Sequence, residues 1–451
     1  MKKNVVNEEY YNKLSDEFKK HNIITNDMFA KYHVKRGLRN SDGTGVVAGV
    51  TQVCNVHGYL LDEGERIAID GELTYSGYSI RDLVYGCQKE NRTGFEEVIY
   101  LLIMGVLPNN EELKEFKKTL GTMRLLPKYF PEDVILRVPS PNVMNNIARS
   151  VLALYAYDKN AEDTSIVNTV RQSLELCAKL PIMAAYAYQA KNHFHDKESL
   201  YIHFPKPELS TAENILYMIR PDSNYTEEEV RILDLCLMIH AEHGGGNNST
   251  FTTRVLTSSG TDIYSTIASA VSSLKGPKHG GANLKVAEML DEIKQNVKNW
   301  DDEEELTAYV RKILNKEAYD KSGLFYGVGH AVYSKSDPRT VILRENVENL
   351  ARINNRLDEL KLMDRTAKIA QGFFYEKYGR HMCINVDYYS GFVYDMLGIP
   401  KDLYTPLFAI ARVSGWCAHR LEELANGKKI IRPAYKSVIP KFEYIPIDER
   451  K

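Results

Sequence analysis

The sequence lacks a long apolar run, a cysteine framework and a large net charge, and each absence removes a class of function. No stretch is long and apolar enough to span a bilayer, so the expected substrate is soluble and no membrane partner is expected. The six cysteines (Cys54, Cys87, Cys177, Cys236, Cys383 and Cys417) are scattered without a C-x-x-C spacing. That excludes a zinc knuckle and a disulfide framework and fits a reducing compartment. The 58 basic and 60 acidic residues leave a net charge of -2, too little to recruit nucleic acid through a global field. Any anion must be held by local clusters. Met1-Lys2-Lys3 is followed by no apolar segment, and Glu8 and Glu9 come early, which argues against a targeting peptide and sets a cytoplasmic expectation.

Strict period-two alternation is also scarce, whereas helical spacing is common and punctuated by short Gly, Pro and Asn turns. The fold class is therefore all-α, with at most a small N-terminal sheet from Val46 to Val56 and Ile67 to Ile69. A chain of 451 residues calls for two or more packed domains. Val151 to Lys191 predicts a pair of core helices broken near Pro181. Thr226 and Glu229 form a capping-box pattern opening a helix that runs to Gly244, and its apolar residues on more than one face predict burial. Asp262 to Lys275 is a second such helix, ended by Gly276-Pro277, and a third opens after His279 at Gly280 and Gly281. The run Asp301 to Glu305 is a solvated first turn favoured by the helix dipole. The more charged composition between Val286 and Asp387 suggests a smaller domain inserted into a larger one.

Four segments concentrate His, Gly, Asp and Arg beyond what packing requires. They are His240 to Phe251 (HAEHGGGNNSTF), Gly276 to Asn283 (GPKHGGAN), Gly327 to Tyr333 (GVGHAVY) with Asp337-Pro338-Arg339, and Asn385 to Gly391 (NVDYYSG). His240 and His243 share a helical face, but without H-E-x-x-H or a third ligand the zinc reading is poor, and one of the pair is a structural histidine. His243, at the negative end of a helix dipole, is expected to take a proton readily and suit a carboxylate. His279, just before a helix, is expected to stay neutral through the positive dipole end, either as a helix-capping histidine or as an N-H donor to a carbonyl. His330 follows two glycines that would let a ligand approach the backbone, with a turn-packing role as its alternative. Asp387 has an N-cap as its default reading and a desolvated general base as the functional one. Arg339, Arg412 and Arg432 matter only if they converge, because three guanidiniums and a histidine would match a small dicarboxylate.

Taken together these runs, with RVSGWCAH from Arg412 and Arg432-Pro433, resemble the citrate synthase family. Leu73 to Ile80 (LTYSGYSI), Phe95 to Leu102 (FEEVIYLL) and Leu107-Pro108 extend the likeness from about Gly45 to Arg432. The resemblance implies a large domain (1–284 and 392–451) with an inserted small domain (285–391) that closes over substrate, in a homodimer. It implies that acetyl-CoA and oxaloacetate are condensed and citryl-CoA hydrolysed, the first step of the tricarboxylic acid cycle, with no cofactor and no metal. Asp387 would take the methyl proton, His279 donate to the thioester oxygen and His330 protonate the ketone oxygen. His243, Arg339, Arg412 and Arg432 would hold the carboxylates, Arg432 from the other subunit. CoA would lie against Leu274, Lys275, Gly276 and Lys278 and against Val328 and Gly329. One branch of the family carries an arginine four residues after the histidine of GxGH; here that position is Ser334, and Lys335 would take over the phosphate contact. A 2-methylcitrate synthase acting on propionyl-CoA would use the same residues, since one methylene is worth only about 1–3 kcal/mol of discrimination. A catalytically inactive, citrate synthase-like binding protein is the alternative of a different class.

Overall fold

The structure is a computed structural model that describes residues 8–40, 44–62 and 65–450. The chain forms two compact units, Met1–Ala48 with Arg432–Lys451, and Gly49–Ile431. The described part of the smaller unit contains the helices Glu8–His21 and Asn26–Lys31 and two short 3-10 turns. The larger unit holds all the remaining helices and the sheet. None of the described helices is long and apolar enough to cross a membrane.

Helix starts follow local hydrogen bonding. Thr226 caps Glu227–His240, accepting from the Glu229 N–H while the Glu229 carboxylate accepts from the Thr226 N–H. Asp262 caps Ile263–Leu274, and Asp302 caps Glu303–Leu314 with Glu303, Glu304 and Glu305 in its first turn. Glu227–His240 is buried without a break from Ile232 onward, as apolar residues on several faces require. It ends at His240 rather than Gly244, and the Tyr75 hydroxyl stands 3.1–3.3 Å from the carbonyls of Met238, Ile239 and Glu242 at this end.

Pro181 breaks nothing. Helix Val143–Ala153 is separate, and Ile166–Lys191 runs through Pro181 as one element. A proline inside a helix costs about 3 kcal/mol, but the chain on either side of Pro181 is buried in the core. Burial over several turns outweighs one missing hydrogen bond. The second long core helix, Tyr404–Asn426, packs against Ile166–Lys191, Glu227–His240 and Asn248–Ser258.

The three strands are β1 (Cys54–Asp62), β2 (Glu65–Tyr75) and β3 (Tyr78–Ser79), antiparallel in that order. β2 exceeds the expected Ile67 to Ile69, and β1 shares only Cys54 to Val56 with the expected Val46 to Val56 and runs on to Asp62, because inter-strand pairing from Cys54↔Tyr75 to Asp62↔Glu65 sets the ends. Val46 to Val53 lies outside the sheet. The hairpin carries the segment after His330: Ser336 bridges Asp70 in parallel, its hydroxyl accepts the Gly71 N–H at 3.1 Å, and the Tyr333 hydroxyl donates to the Glu72 carbonyl at 3.3 Å.

Candidate active site

Helix Tyr404–Asn426 carries two arginines through an interior in which every residue from Ala409 to Leu421 is buried. An unpaired buried charge is costly, and the two are treated differently. Arg420 spends its Nη atoms on Thr257 Oγ1, Thr266 Oγ1 and the Thr261 carbonyl, at 2.8–3.2 Å. Arg412 donates through Nε to the His240 carbonyl at 2.7 Å and rests on the Phe408 ring, but its Nη1 and Nη2 have no protein partner. Its fork is open.

Arg339 is presented by a second device. Asp337 caps helix Pro338–Ile353 through the Arg339 N–H and grips Arg339 Nε and Nη2 at 3.0 and 2.7 Å. One edge of the guanidinium is thereby fixed.

The His330 segment is laced to the Asp387 segment. Gly329 N–H donates to the Cys383 carbonyl at 2.7 Å, Asn385 N–H to the Gly327 carbonyl at 2.9 Å, and Asn385 Nδ2 to the Gly329 carbonyl at 3.0 Å. The glycines here serve packing. A Cβ on Gly327, whose φ is +82°, would fall 2.6 Å from the Tyr388 ring.

His330 accepts two backbone N–H bonds at Nδ1, from Val332 and Tyr333, each at 3.1 Å. The ring proton is therefore on Nε2. Its ring stacks on Tyr333 with centroids 4.6 Å apart and meets His243 edge-on at 5.0 Å. Burial, with help from Arg339, lowers its pKa to about 4. The imidazole is neutral at working pH.

His243 reverses the expectation of a readily protonated ring. Burial, then Arg339, His330 and Arg412, hold its pKa well below 6.5. Burial, with the nearby guanidiniums, outweighs a helix end worth at most about 2 kcal/mol. Its Nε2 lies 3.3 Å from the Tyr333 hydroxyl. His240 is structural: its Nδ1 meets the Cys236 carbonyl at 2.7 Å and burial drives its pKa to about 3.

His279 sits in the turn between helices Ile263–Leu274 and Ala282–Asn296, with Nε2 2.9 Å from Ser249 Oγ. It is neutral as expected but for another reason, since burial and then Arg412 lower its pKa to about 4. Asp387 is not an N-cap. It is the first residue of helix Asp387–Met396, and its carboxylate makes no capping bond. Burial raises its pKa to about 6 against the opposing pull of Arg339 and Arg412.

Asp387, His279, His243 and His330 thus each lie within the field of Arg339 or Arg412. Arg432 is exposed and belongs to the smaller unit. Among the residues expected to meet CoA, the Leu274 side chain is fully buried, Lys275 and Lys278 are exposed, and Gly276, Val328 and Gly329 are half-buried. Lys335 is exposed and pairs with Asp70 at 2.7 Å. Sequence reasoning passed over Asp337, Ser249 and Asn385, although each stands inside a run it singled out. Asp337 and Asn385 stand two residues from Arg339 and Asp387, a signal present in the sequence, whereas Ser249 meets His279 only once the chain is folded.

The family model described as "Citrate synthase, C-terminal domain" matches residues 40–434. Citrate synthase of Synechocystis sp. is 35% identical over 416 residues, covering 90% of this chain and 92% of the relative. Citrate synthase 2 of Bacillus subtilis is 35% identical over 410 residues, covering 90% and 98%. Among solved structures, citrate synthase from Thermotoga maritima superposes with a TM-score of 0.72 at 29% identity, covering 93% of this chain and 99% of that one. A ternary complex of carboxymethyl coenzyme A and oxaloacetate with the Thermoplasma acidophilum citrate synthase gives 0.74 at 26%, covering 91% and 100%. The chain is an enzyme of the citrate synthase family.

Proposed function

We propose that the protein condenses acetyl-CoA with oxaloacetate and hydrolyses citryl-CoA to citrate and CoA, the first step of the tricarboxylic acid cycle. The observation that carries this reading is the open fork of Arg412, two buried donors without a protein partner, beside Arg339, His243 and His330. Two guanidiniums and an imidazole N–H match a small dicarboxylate.

Asp387 takes the methyl proton. A pKa near 6 makes it a stronger base than an ordinary aspartate of about 3.9, while leaving it ionised at neutral pH. A carboxylate alone cannot hold a carbanion, so the thioester oxygen needs a donor at the same moment. The donor to that oxygen is the ring N–H of neutral His279. His330 Nε2–H donates to the ketone oxygen of oxaloacetate as the carbon–carbon bond forms. Water then cleaves the thioester.

The reading extends to the assembly. Segment 285–391 acts as a small domain that closes on 1–284 and 392–451 and excludes water until condensation is complete. The active form is a cytoplasmic homodimer, to which the exposed apolar side chains of Leu125, Tyr129 and Val138 are suited, and Arg432 reaches the dicarboxylate from the second subunit. CoA lies along the backbone of Leu274, Lys275, Gly276 and Lys278 and of Val328 and Gly329, with Lys335 available to its phosphate.

The test is release of free CoA from acetyl-CoA and from propionyl-CoA, with and without oxaloacetate, with the product identified by mass spectrometry. Oxaloacetate-dependent release that favours acetyl-CoA and yields citrate is expected. Preference for propionyl-CoA makes it a 2-methylcitrate synthase, and no release from either thioester overturns the reading.

A further inference from the structure

Behind the carboxylate-binding cluster lies a buried charged chain that the reaction above does not use. Glu242 and His419 are both fully buried. Glu242 Oε1 accepts the Gly244 N–H at 2.6 Å, and its main chain is held on both sides by the Tyr75 hydroxyl, N–H at 3.3 Å and carbonyl at 3.2 Å. The turn that presents His243 is thereby closed by the side chain next to it. Glu242 is also the foremost anion acting on Arg412. Helix Tyr404–Asn426 reaches the carboxylate only because residue 415 is glycine, where a Cβ would overlap Glu242 Oε2.

His419 Nε2 stands 3.0 Å from Glu242 Oε1. On its far side Arg254 Nη2 lies 2.6 Å from His419 Nδ1. A guanidinium only donates, so Nδ1 accepts and the neutral ring carries its proton on Nε2, the nitrogen nearer Glu242. Arg254 is itself fixed by Glu422 and by Glu423, the latter at 3.1 Å. Glu422 also accepts the Gln52 N–H at 2.7 Å, two residues before β1.

We propose that Glu242 and His419 are positioning residues for oxaloacetate: Arg254 sets the tautomer of His419, His419 orients the Glu242 carboxylate, and Glu242 fixes the His243 turn and balances Arg412. They act through His243 and Arg412 and do not touch substrate. The inference rests on the dicarboxylate reading above. A misplaced first contact loosens binding more than chemistry, and the loss falls on one substrate.

The test uses the full-length enzyme with His419→Ala, the shape-conserving His419→Gln and the isosteric Glu242→Gln. Steady-state kinetics are combined with calorimetric binding of oxaloacetate alone and with thermal melting. His419→Ala and Glu242→Gln are expected to raise the oxaloacetate KM and Kd by about tenfold or more while moving the acetyl-CoA KM and kcat by less than about threefold. His419→Gln, whose side-chain amide can still donate to Glu242, recovers most of the loss. Unchanged oxaloacetate binding in folded Glu242→Gln overturns the proposal while the condensation reading stands. So does an equal fall in all parameters that tracks a lower melting temperature, because that marks a purely structural pair. If the wild-type protein neither binds oxaloacetate nor releases CoA, both readings fall together.

Discussion

Asn385 Oδ1 accepts the backbone N–H of Asp387 at 3.1 Å, so capping at this helix start comes from two residues upstream and the aspartate keeps its carboxylate free. An N-cap bond would stabilise the anion and weaken it as a base. Without one, burial dominates and the pKa rises to about 6. The rate should therefore climb with pH through about 6 and level off above it, and kcat/KM measured from pH 5 to 8 checks this. Asp387→Asn should lower kcat at least about a thousandfold with little change in the oxaloacetate KM.

The same shift has a cost in stability. A carboxyl whose pKa is raised on folding, here from 3.8 to about 6, favours the folded state fully below pH 3.8 and loses that contribution as pH rises through 6. At pH 8 the ionised Asp387 therefore opposes folding by up to about 3 kcal/mol. Asp387→Asn should melt higher than wild type at pH 8, and the gain should shrink toward pH 4. Parallel melting curves across that range decide it.

Legibility from sequence followed the range of the interactions. The capping box at Thr226 spans three residues and is legible, as are the helix start at Asp262 and the acidic first turn after Asp302, although the cap at Asp302 is not. The helix through Pro181 was not, because its stability comes from burial against distant elements. The site histidines were legible as residues but not always in charge. The helix end alone gives His243 a ready proton, yet burial, and then Arg339, His330 and Arg412 arriving from other segments, keep it neutral. Glu242 and His419 lie 177 residues apart, and only the fold makes them neighbours.

Gly327→Ala probes the lacing between the His330 and Asp387 segments. The new methyl meets Tyr388 at 2.6 Å with φ at +82°, so both strain and overlap act. We expect a loss of about 1–3 kcal/mol and a fall in kcat, since the displaced Tyr388 adjoins Asp387. Urea melts and kinetics on the same sample report the two effects.

Arg412→Met removes a buried guanidinium whose fork has no protein partner. The free protein gains from the relieved desolvation but loses the Nε bond to the His240 carbonyl and the countercharge of Glu242, so it should melt lower than wild type. Oxaloacetate should raise the wild-type melting temperature and leave that of Arg412→Met unmoved. A thermal-shift titration separates the outcomes, and a variant whose melting temperature still rises with oxaloacetate contradicts the assignment.

Lys335 offers a test of the CoA end. Its ion pair with Asp70 is exposed on both sides, and such pairs are worth about 0–1 kcal/mol. A CoA phosphate can therefore draw the ammonium away at small cost. Asp70→Ala removes the competitor, so the acetyl-CoA KM should fall by about two- to fivefold. Adding Lys335→Ala should abolish the gain, and salt should reduce it, as an exposed phosphate contact requires. The decisive comparison is acetyl-CoA against its 3′-dephospho analogue. If Asp70→Ala improves both thioesters equally, Lys335 does not grip that phosphate, and the contact must come from another basic residue.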